Sequence, residues 1–440
     1  MVRKISLVMG CLVLLAGVTF ASGSQESQAE SAAADSAEPQ QLVVWSHAVH
    51  QQVTEGTRGG AAKNLTTEFE RQYGVDVVWN TIPWGGMQEK VLRQLTQPDG
   101  EADIVFLVNG WASPTALGMF EPLSSYRDRS PIDNFSDIAQ GMVETFTHDG
   151  SVRLLPYRSN PQILHYNAVI LQERGVDGPP ENMEQWMEAA KSASYTRDDG
   201  AEVYGLGIKP SEDPIAIIRA FGGEVLSSDY TIGTTSREAI RAVEWLKELY
   251  EAGAIPPNFS QLGSQEYQNL MNEGLVAMTL FGDNYQERFN DPEQSRVAGS
   301  VKPAAIPAAG GGVAQAKIAY WGAGIPTNSD SDKKDLAWEF LKFFTSQEIQ
   351  FEMALNGNGP VRTSVFEMDA YVEQVPYAST VAKMLDQASP HIPVFEGTTE
   401  VLDVFEQQVV LAITGRKEVA QAMADAESRI QRVLDQEGIE

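Results

Sequence analysis

The sequence predicts an α/β fold assembled from parallel strand–helix–strand units. Over the first third of the chain, short apolar runs alternate with segments of helical spacing, which indicates parallel βαβ units. Those runs are almost continuously apolar, which is typical of strands covered on both faces of a sheet. The chain has 440 residues. Because single cores stop growing at about 250–300 residues, we expect two or three domains.

The first elements follow one another in that alternation. A helix over 63–73 places Leu65 and Phe69 four residues apart on one face, and Gly74 supplies a C-terminal stop. The next helix is predicted at 87–96. Strands are predicted at 42–45, 75–79 and 103–108.

The remainder of the chain has a more helical pattern. Ser236 can cap a helix over 237–252, and Gly253 lies just beyond its end. A strand is predicted at 274–281 and a loop at 303–313, where Ala, Gly and Pro dominate. An amphipathic helix is predicted at 334–345 and two final helices over 401–437, separated at Gly415.

Charge and cysteine content exclude several classes of protein. The chain has 32 Lys+Arg and 60 Asp+Glu, a net charge of −28. Such a charge repels phosphate backbones and no local basic patch compensates for it, so we expect no nucleic-acid partner. The charge also disfavours self-association, and we expect a monomer.

The single cysteine excludes an internal disulfide, a zinc ribbon and an iron–sulfur cluster.

The N-terminal segment has the pattern of an export signal. Arg3 and Lys4 precede an uncharged run over 5–18, which predicts a signal peptide at 1–21, cleaved after Ala21, and a periplasmic protein. Residues 22–40 are rich in Ser, Ala, Gln and Glu and predict a disordered tether. A second interpretation is lipid attachment at Cys11, although the apolar residues 12–20 would then begin the mature chain.

Motifs of catalysis and metal binding are missing from the sequence. It contains no zinc-protease His-Glu-x-x-His, no nucleophile elbow, no phosphate-binding loop and no dinucleotide fingerprint. His47 and His50 are three residues apart, but no third ligand stands nearby. We therefore expect no metal, no cofactor and no enzymatic activity.

Aromatic and amide residues concentrate where the predicted strands end. The clusters lie at 45–47, 109–111, 281–285 and 320–322. In parallel α/β sheets, ligands lie beyond the carboxyl ends of the strands. A sugar ring stacks on an aromatic face while its hydroxyls need planar donors and acceptors. Each tryptophan alone is equally well explained as core, but the four clusters together predict a carbohydrate site.

Several segments, in order, resemble a known family. They are residues 42–46, 102–105 with Trp111 and 118–123, 154–160 with 164–167, 274–282, 335–344 and 359–362. In these segments the chain resembles the sugar-type extracellular solute-binding proteins of bacterial ABC importers, the group that includes maltose- and glycerol-phosphate-binding proteins. The resemblance runs from residue 42 to the C-terminus. Ala102 stands where proline is usual.

The resemblance implies two α/β lobes that close over a ligand in the cleft between them, hinged by crossing segments. The N-terminal lobe would comprise 41–158 and 286–328, and the C-terminal lobe 159–285 and 329–440. The protein would capture a carbohydrate and deliver it to a membrane permease without chemistry on the ligand.

The resemblance also implies a set of cleft residues. For Arg362 a structural salt bridge, between the lobes or capping a helix, is an equal alternative. Arg158 is unusual near the hinge and could pair with a carboxylate or phosphate, so an acidic sugar or sugar phosphate is an alternative ligand. The implied ligand-binding residues are Trp45, His47, Asn109, Trp111, Arg158, Asn160, Asp283, Trp321 and Arg362.

Two other classes remain open at this point. A receptor for another small polar solute, such as an amino acid, a peptide or a metal, would share the fold. A secreted polysaccharide hydrolase would need two carboxylates about 5–10 Å apart in one cleft.

Overall fold

The computed structural model describes residues 40–58, 63–386 and 389–439. The predicted signal peptide, the Cys11 alternative and the tether lie outside the described residues, apart from Gln40, which begins the first strand. Within the described ranges, no helix is long and apolar enough to cross a membrane.

Strands and helices alternate as the sequence predicts. The described strands are β1 Gln40–Ser46, β2 Val75–Thr81, β3 Ile104–Val108, β4 Thr147–His148, β5 Ser151–Val152, β6 Leu155–Asn167, β7 Tyr195–Thr196, β8 Glu202–Gly207, β9 Val276–Gly282, β10 Val301–Ala304 and β11 Ile318–Gly324. The described helices are α1 Ala48–Thr54, α2 Leu65–Tyr73, α3 Met87–Thr96, α4 Pro114–Leu117, α5 Ser124–Arg129, α6 Gln140–Thr145, α7 Ala168–Glu173, α8 Met183–Ser192, α9 Asp213–Ala220, α10 Arg237–Glu251, α11 Ser264–Asn272, α12 Tyr285–Phe289, α13 Lys334–Thr345, α14 Gln347–Leu355, α15 Asp369–Gln374, α16 Ala378–Asp386, α17 Thr398–Ile413 and α18 Val419–Gln436.

Local chemistry explains the boundaries of the predicted helices. The side chain of Asn64 accepts a hydrogen bond from the Thr67 amide at the start of α2, and Gly74 ends that helix with a φ of 68°. Ser236 caps α10 in the same way through the Ala239 amide. The final helices α17 and α18 are separated around Gly415, as predicted.

The first sheet region is parallel, as the βαβ pattern predicts. Strand β1 pairs in parallel with β2 on one side and with β3 on the other. Every residue of β3 is buried, in agreement with a strand covered on both faces. Strand β11 lies between β3 and β6 and pairs antiparallel with both of them.

Strand β6 connects two hydrophobic cores. Its first half pairs with β11 and contributes Tyr157 to one core, and its second half pairs with β9 and contributes Ile163 to the other. We call the residues around the Tyr157 core the first lobe and those around the Ile163 core the second lobe. One continuous strand therefore joins the two cores.

After β9, two stretches lie in a different core from the one that the predicted lobe boundaries imply. Ile306 and Ala316, predicted for the N-terminal lobe, are buried in the second core. Trp338, predicted for the C-terminal lobe, is buried in the first core, as are α13 neighbours such as Phe340, whose ring lies 5.3 Å from that of Phe69. The apolar face of α13 was visible in the sequence, but such a pattern does not specify which of two cores receives it.

Candidate functional site

A cavity of about 810 Å³ lies between the two lobes, and we call it the cleft. Val108 and Trp111 line it from the first lobe, and Lys209 and Phe281 line it from the second. Ligand sites for small molecules typically have about 300–1,000 Å³. The cleft therefore has the size and position of a ligand site between two closing lobes.

Three tryptophans form an aromatic cluster on the cleft wall. Trp84 and Trp111 stack with ring centroids 5.0 Å apart. The ring of Trp321 stands edge-on to both, at 6.0 Å from Trp84 and 5.9 Å from Trp111. Trp84 is 57 % exposed. A solvent-facing tryptophan supported by two others offers a rigid apolar face to a ligand ring.

Strand β6 directs alternate side chains into the cleft. Arg158, Asn160 and Gln162 line it, whereas the intervening Ser159 hydroxyl donates to the Pro360 carbonyl at 2.6 Å. This follows from the two-residue period of a strand. The same segment thus joins the lobes and presents a guanidinium and two amides to the ligand space.

Arg158 is a buried cation with incomplete hydrogen bonding. Its side chain is 2 % exposed, and Nη2 donates to Asn160 Oδ1 at 3.2 Å. Nη1 is buried and has no hydrogen-bond partner among the described residues. Burial, together with repulsion from Arg58, lowers the pKa of the Arg158 guanidinium to about 9. Burial and then the charge of Arg158 also lower the pKa of His47.

Two lysines on the opposite wall are paired with carboxylates. Lys209 Nζ donates to Asp213 Oδ2 at 2.9 Å, and Gln162 Nε2 donates to the other carboxylate oxygen at 2.8 Å. Lys317 forms an ion pair with Glu212. Burial raises the pKa of Asp213, opposed by Lys209. Both lysines therefore have a carboxylate partner before any ligand binds.

The structure brings most of the predicted site residues together. His47 Nδ1 accepts from the Val49 amide and caps α1 at 3.3 Å, and Asn109 Oδ1 accepts from the Tyr320 amide at 3.1 Å. Predicted residues that line the cleft are His47, Asn109, Trp111, Arg158, Asn160 and Trp321.

Trp45 and Asp283 lie outside the cleft lining. Trp45 lies within β1, one residue before its end, and packs half-buried against the first core. Asp283 is buried, and Gly282 and Asn284 line the cleft on either side of it. Both were predicted from their closeness to a strand end, but Trp45 packs against the first core and Asp283 is buried among residues that line the cleft.

Arg362 is a structural residue of the first lobe and not a cleft residue. Its guanidinium is 1 % exposed. It donates to the Thr345 carbonyl at 2.7 Å, to the Asp133 carbonyl at 3.0 Å and to Asp137 Oδ2 at 3.3 Å. All of these partners belong to segments of the first lobe. Arg362 therefore forms a structural salt bridge, and this salt bridge lies within one lobe and not between the two.

Sequence reasoning missed several cleft residues. Trp84 lies three residues after β2, so the same strand-end rule that found Trp111 could have found it. Arg58, Lys209 and Arg288 occupy loops and a helix without any local pattern that marks them. Across the described ranges, no group of three or more His, Cys, Asp or Glu side chains could hold a metal ion.

Comparisons with known proteins show what this chain is similar to. The family model described as "Bacterial extracellular solute-binding protein" matches residues 54–351. A binding protein of Brucella abortus is 24 % identical over 376 residues, covering 82 % of this chain and 86 % of that protein. The arabinooligosaccharide-binding protein of Halalkalibacterium halodurans is 23 % identical over 309 residues, covering 68 % of this chain and 67 % of that one.

A solved structure has the same fold. The maltose-bound MalE3 protein of T. maritima superposes with a TM-score of 0.74 at 22 % identity, covering 90 % of this chain and 100 % of that one. A superposition at this identity establishes the two-lobe α/β architecture of the present chain.

Proposed function

The chain belongs to the bacterial extracellular solute-binding proteins, and on that premise we propose that it captures a carbohydrate in the cleft and delivers it to a membrane permease. This is a family of binding proteins and not of enzymes, and we infer that the ligand is released unchanged. In the same proposal the protein acts outside the cytoplasm and as a monomer.

The tryptophan cluster on the cleft wall is the main support for a carbohydrate ligand. Trp84, stacked on Trp111 and exposed, presents the kind of face on which a sugar ring stacks. Asn109, Asn160 and Gln162 line the same cleft and supply planar donors and acceptors for hydroxyl groups. A relative that binds arabinooligosaccharides and a structural neighbour that holds maltose support the assignment.

The placement of the cleft supports a capture mechanism. Its walls come from both lobes, and β6 runs through both cores. A ligand that contacts both walls binds the closed arrangement better than the open one and shifts the population toward closure. A closed, loaded form is a signal that a permease can distinguish from the empty one.

The cleft carboxylates argue against the hydrolase alternative. Among the described residues that line the cleft, Glu212 is the one carboxylate, and it forms an ion pair with Lys317. Glycoside hydrolysis needs two carboxylates about 5–10 Å apart, one of them free to donate a proton. The lining therefore fits a binding protein.

Thermal-shift screening followed by isothermal titration calorimetry tests this proposal. The panel contains sugars, oligosaccharides and polyols beside amino acids, peptides and divalent metals. A true ligand at 100 times its Kd stabilises the fold by about 2.7 kcal/mol, so at least one carbohydrate should raise the melting temperature. Stabilisation only by an amino acid, a peptide or a metal, or turnover of a sugar into product, would contradict the proposal.

A further inference from the structure

The cleft contains three arginines without a carboxylate partner. Arg58, Arg158 and Arg288 line it, and none forms an ion pair with a carboxylate of the described residues. Lys209 and Lys317, which also line it, each have such a partner. The unpaired positive charge is therefore concentrated in the arginines, which we call the arginine group.

Nearby acids compensate this charge only weakly. Asp283 attracts Arg158, but no oxygen of it lies within ion-pairing distance, and its buried Oδ1 has no hydrogen-bond partner in the described part of the chain. Burial raises the pKa of Asp283 to about 7, so near neutral pH it carries only part of a charge. Glu287 also acts on Arg158 but is exposed, where solvent screens it.

A buried cation that lacks a counter-charge destabilises the empty protein, and an anion placed beside it removes that cost. Guanidinium groups form two parallel hydrogen bonds with a carboxylate or phosphate, in a geometry that hydroxyl groups do not match. The net charge of −28 gives the protein no general attraction for anions. The arginine group is thus a local feature of the cleft.

The arginine group lies directly beside the aromatic cluster. Arg158 on β6 is opposite Trp321 on β11 in the antiparallel register. The ring of His47 lies 6.4 Å from Trp321 and 6.5 Å from Trp84, and its pKa responds to Arg158, Arg58 and Arg288. A single ligand can therefore stack its ring on the tryptophans and present a substituent to the arginines.

We propose that the ligand is an anionic carbohydrate, whose carboxylate or phosphate group pairs with Arg158, Arg58 and Arg288 while its sugar ring stacks on the tryptophan cluster. This assignment rests on the proposed function and narrows its ligand class. The acidic group contributes selectivity over the neutral sugar of the same shape.

Calorimetry with matched probes tests the assignment. The probes are glucose, glucuronate and glucose 6-phosphate, then galactose, galacturonate and galactose 6-phosphate, and, for a longer ligand, galactobiose beside digalacturonate. We expect an anionic member to bind at least about tenfold more tightly than its neutral counterpart. Within each series, we compare the affinity of the uronate with that of the phosphate. The tighter binder shows whether the anionic group of the ligand is a carboxylate or a phosphate.

Variants localise the effect. R158Q and R288Q should each weaken binding of the anionic probe by at least about tenfold more than they weaken binding of the neutral probe. R288Q alters a half-exposed residue, so it remains informative even if R158Q folds poorly. R93Q, at an exposed arginine of α3 outside the cleft, is the matched control and should change neither affinity.

Two results would overturn the assignment. If neutral sugars bind as tightly as their anionic counterparts, or more tightly, the arginine group does not select for an anionic ligand. The proposed function would still stand in that case. If no carbohydrate of either kind binds, the proposed function and this assignment fail together.

Discussion

Trp321 and Arg158 lie directly opposite each other on the antiparallel strands β11 and β6, and both side chains line the cleft. Directly opposed residues of an antiparallel pair have Cβ atoms only about 4.5–5.5 Å apart. One strand pair therefore holds an aromatic ring and a guanidinium side by side. The same strand β6 also runs into the second core, so this pair lies on the segment that joins the two lobes.

Removal of the Trp111 ring should weaken ligand binding. Trp111→Ala deletes the ring on which Trp84 stacks, so we expect the affinity to fall by roughly 2 kcal/mol, about thirtyfold in Kd. Calorimetry with the carbohydrate identified in the panel measures the change. Trp45→Phe is the control, because Trp45 packs outside the cleft. An unchanged Kd for Trp111→Ala would make that ring a packing residue.

Arg362→Met should destabilise the first lobe and leave ligand affinity unchanged. The substitution leaves the buried Asp137 carboxylate without its ion-pair partner. Breaking a buried ion pair costs about 3–5 kcal/mol in the free energy of unfolding. Urea denaturation measures the loss. Asp137→Asn should show a comparable loss, because it breaks the same pair from the other side. A stable variant with altered Kd would return Arg362 to the ligand site.

Asp283 should make the free energy of unfolding fall as pH rises. Burial raises its pKa in the folded protein to about 7, opposed by the attraction of Arg158, whereas an unfolded Asp has a pKa of about 3.9. Its stabilising contribution is complete below about pH 4 and is lost as pH rises through about 7. Since one pKa unit is worth about 1.4 kcal/mol, the total amounts to roughly 4 kcal/mol.

Asp283→Asn removes that dependence. Urea denaturation at pH 4, 6 and 8 should show the variant gaining stability relative to the wild type as pH rises. A difference between the two proteins that is the same at every pH would contradict the assigned pKa.

Gly359→Ala should disrupt the contact between β6 and the loop that precedes Arg362. An added Cβ would lie 1.8 Å from the Ser159 carbonyl oxygen, while the Ser159 amide donates to the Gly359 carbonyl at 2.9 Å. The backbone must shift, and we expect a loss of roughly 2–4 kcal/mol in the free energy of unfolding. Gly141→Ala is the control, since its Cβ would meet no atom within 4 Å. Equal effects of the two substitutions would contradict the close approach.

Most elements and part of the site could be predicted from the sequence because both depend on local patterns. Capping by Ser236 and the apolar run of β3 are short-range signals. The strand-end rule found Trp111 because its loop follows a buried parallel strand. Arg58 carries no such signal, and its place in the cleft results from tertiary packing.

The places where the structure departs from the predictions have the same origin. Trp338 lies on a recognisable amphipathic helix, but nothing in that pattern says which core covers it. For Arg362, ligand contact and a structural salt bridge were equal alternatives, and its partners Asp133 and Asp137 are more than two hundred residues away in the chain. Pairing over such a separation is not visible in a single sequence.

Mass spectrometry of the ligand carried through purification tests the central claim most directly. The protein is purified without added solute, unfolded to release its ligand, and the extract is compared with that of Trp111→Ala prepared in parallel. The account predicts a carbohydrate, bearing a carboxylate or phosphate, in stoichiometric amount in the wild type and depleted in the variant. An amino acid, a peptide or a metal in its place, retained equally by both proteins, would contradict it.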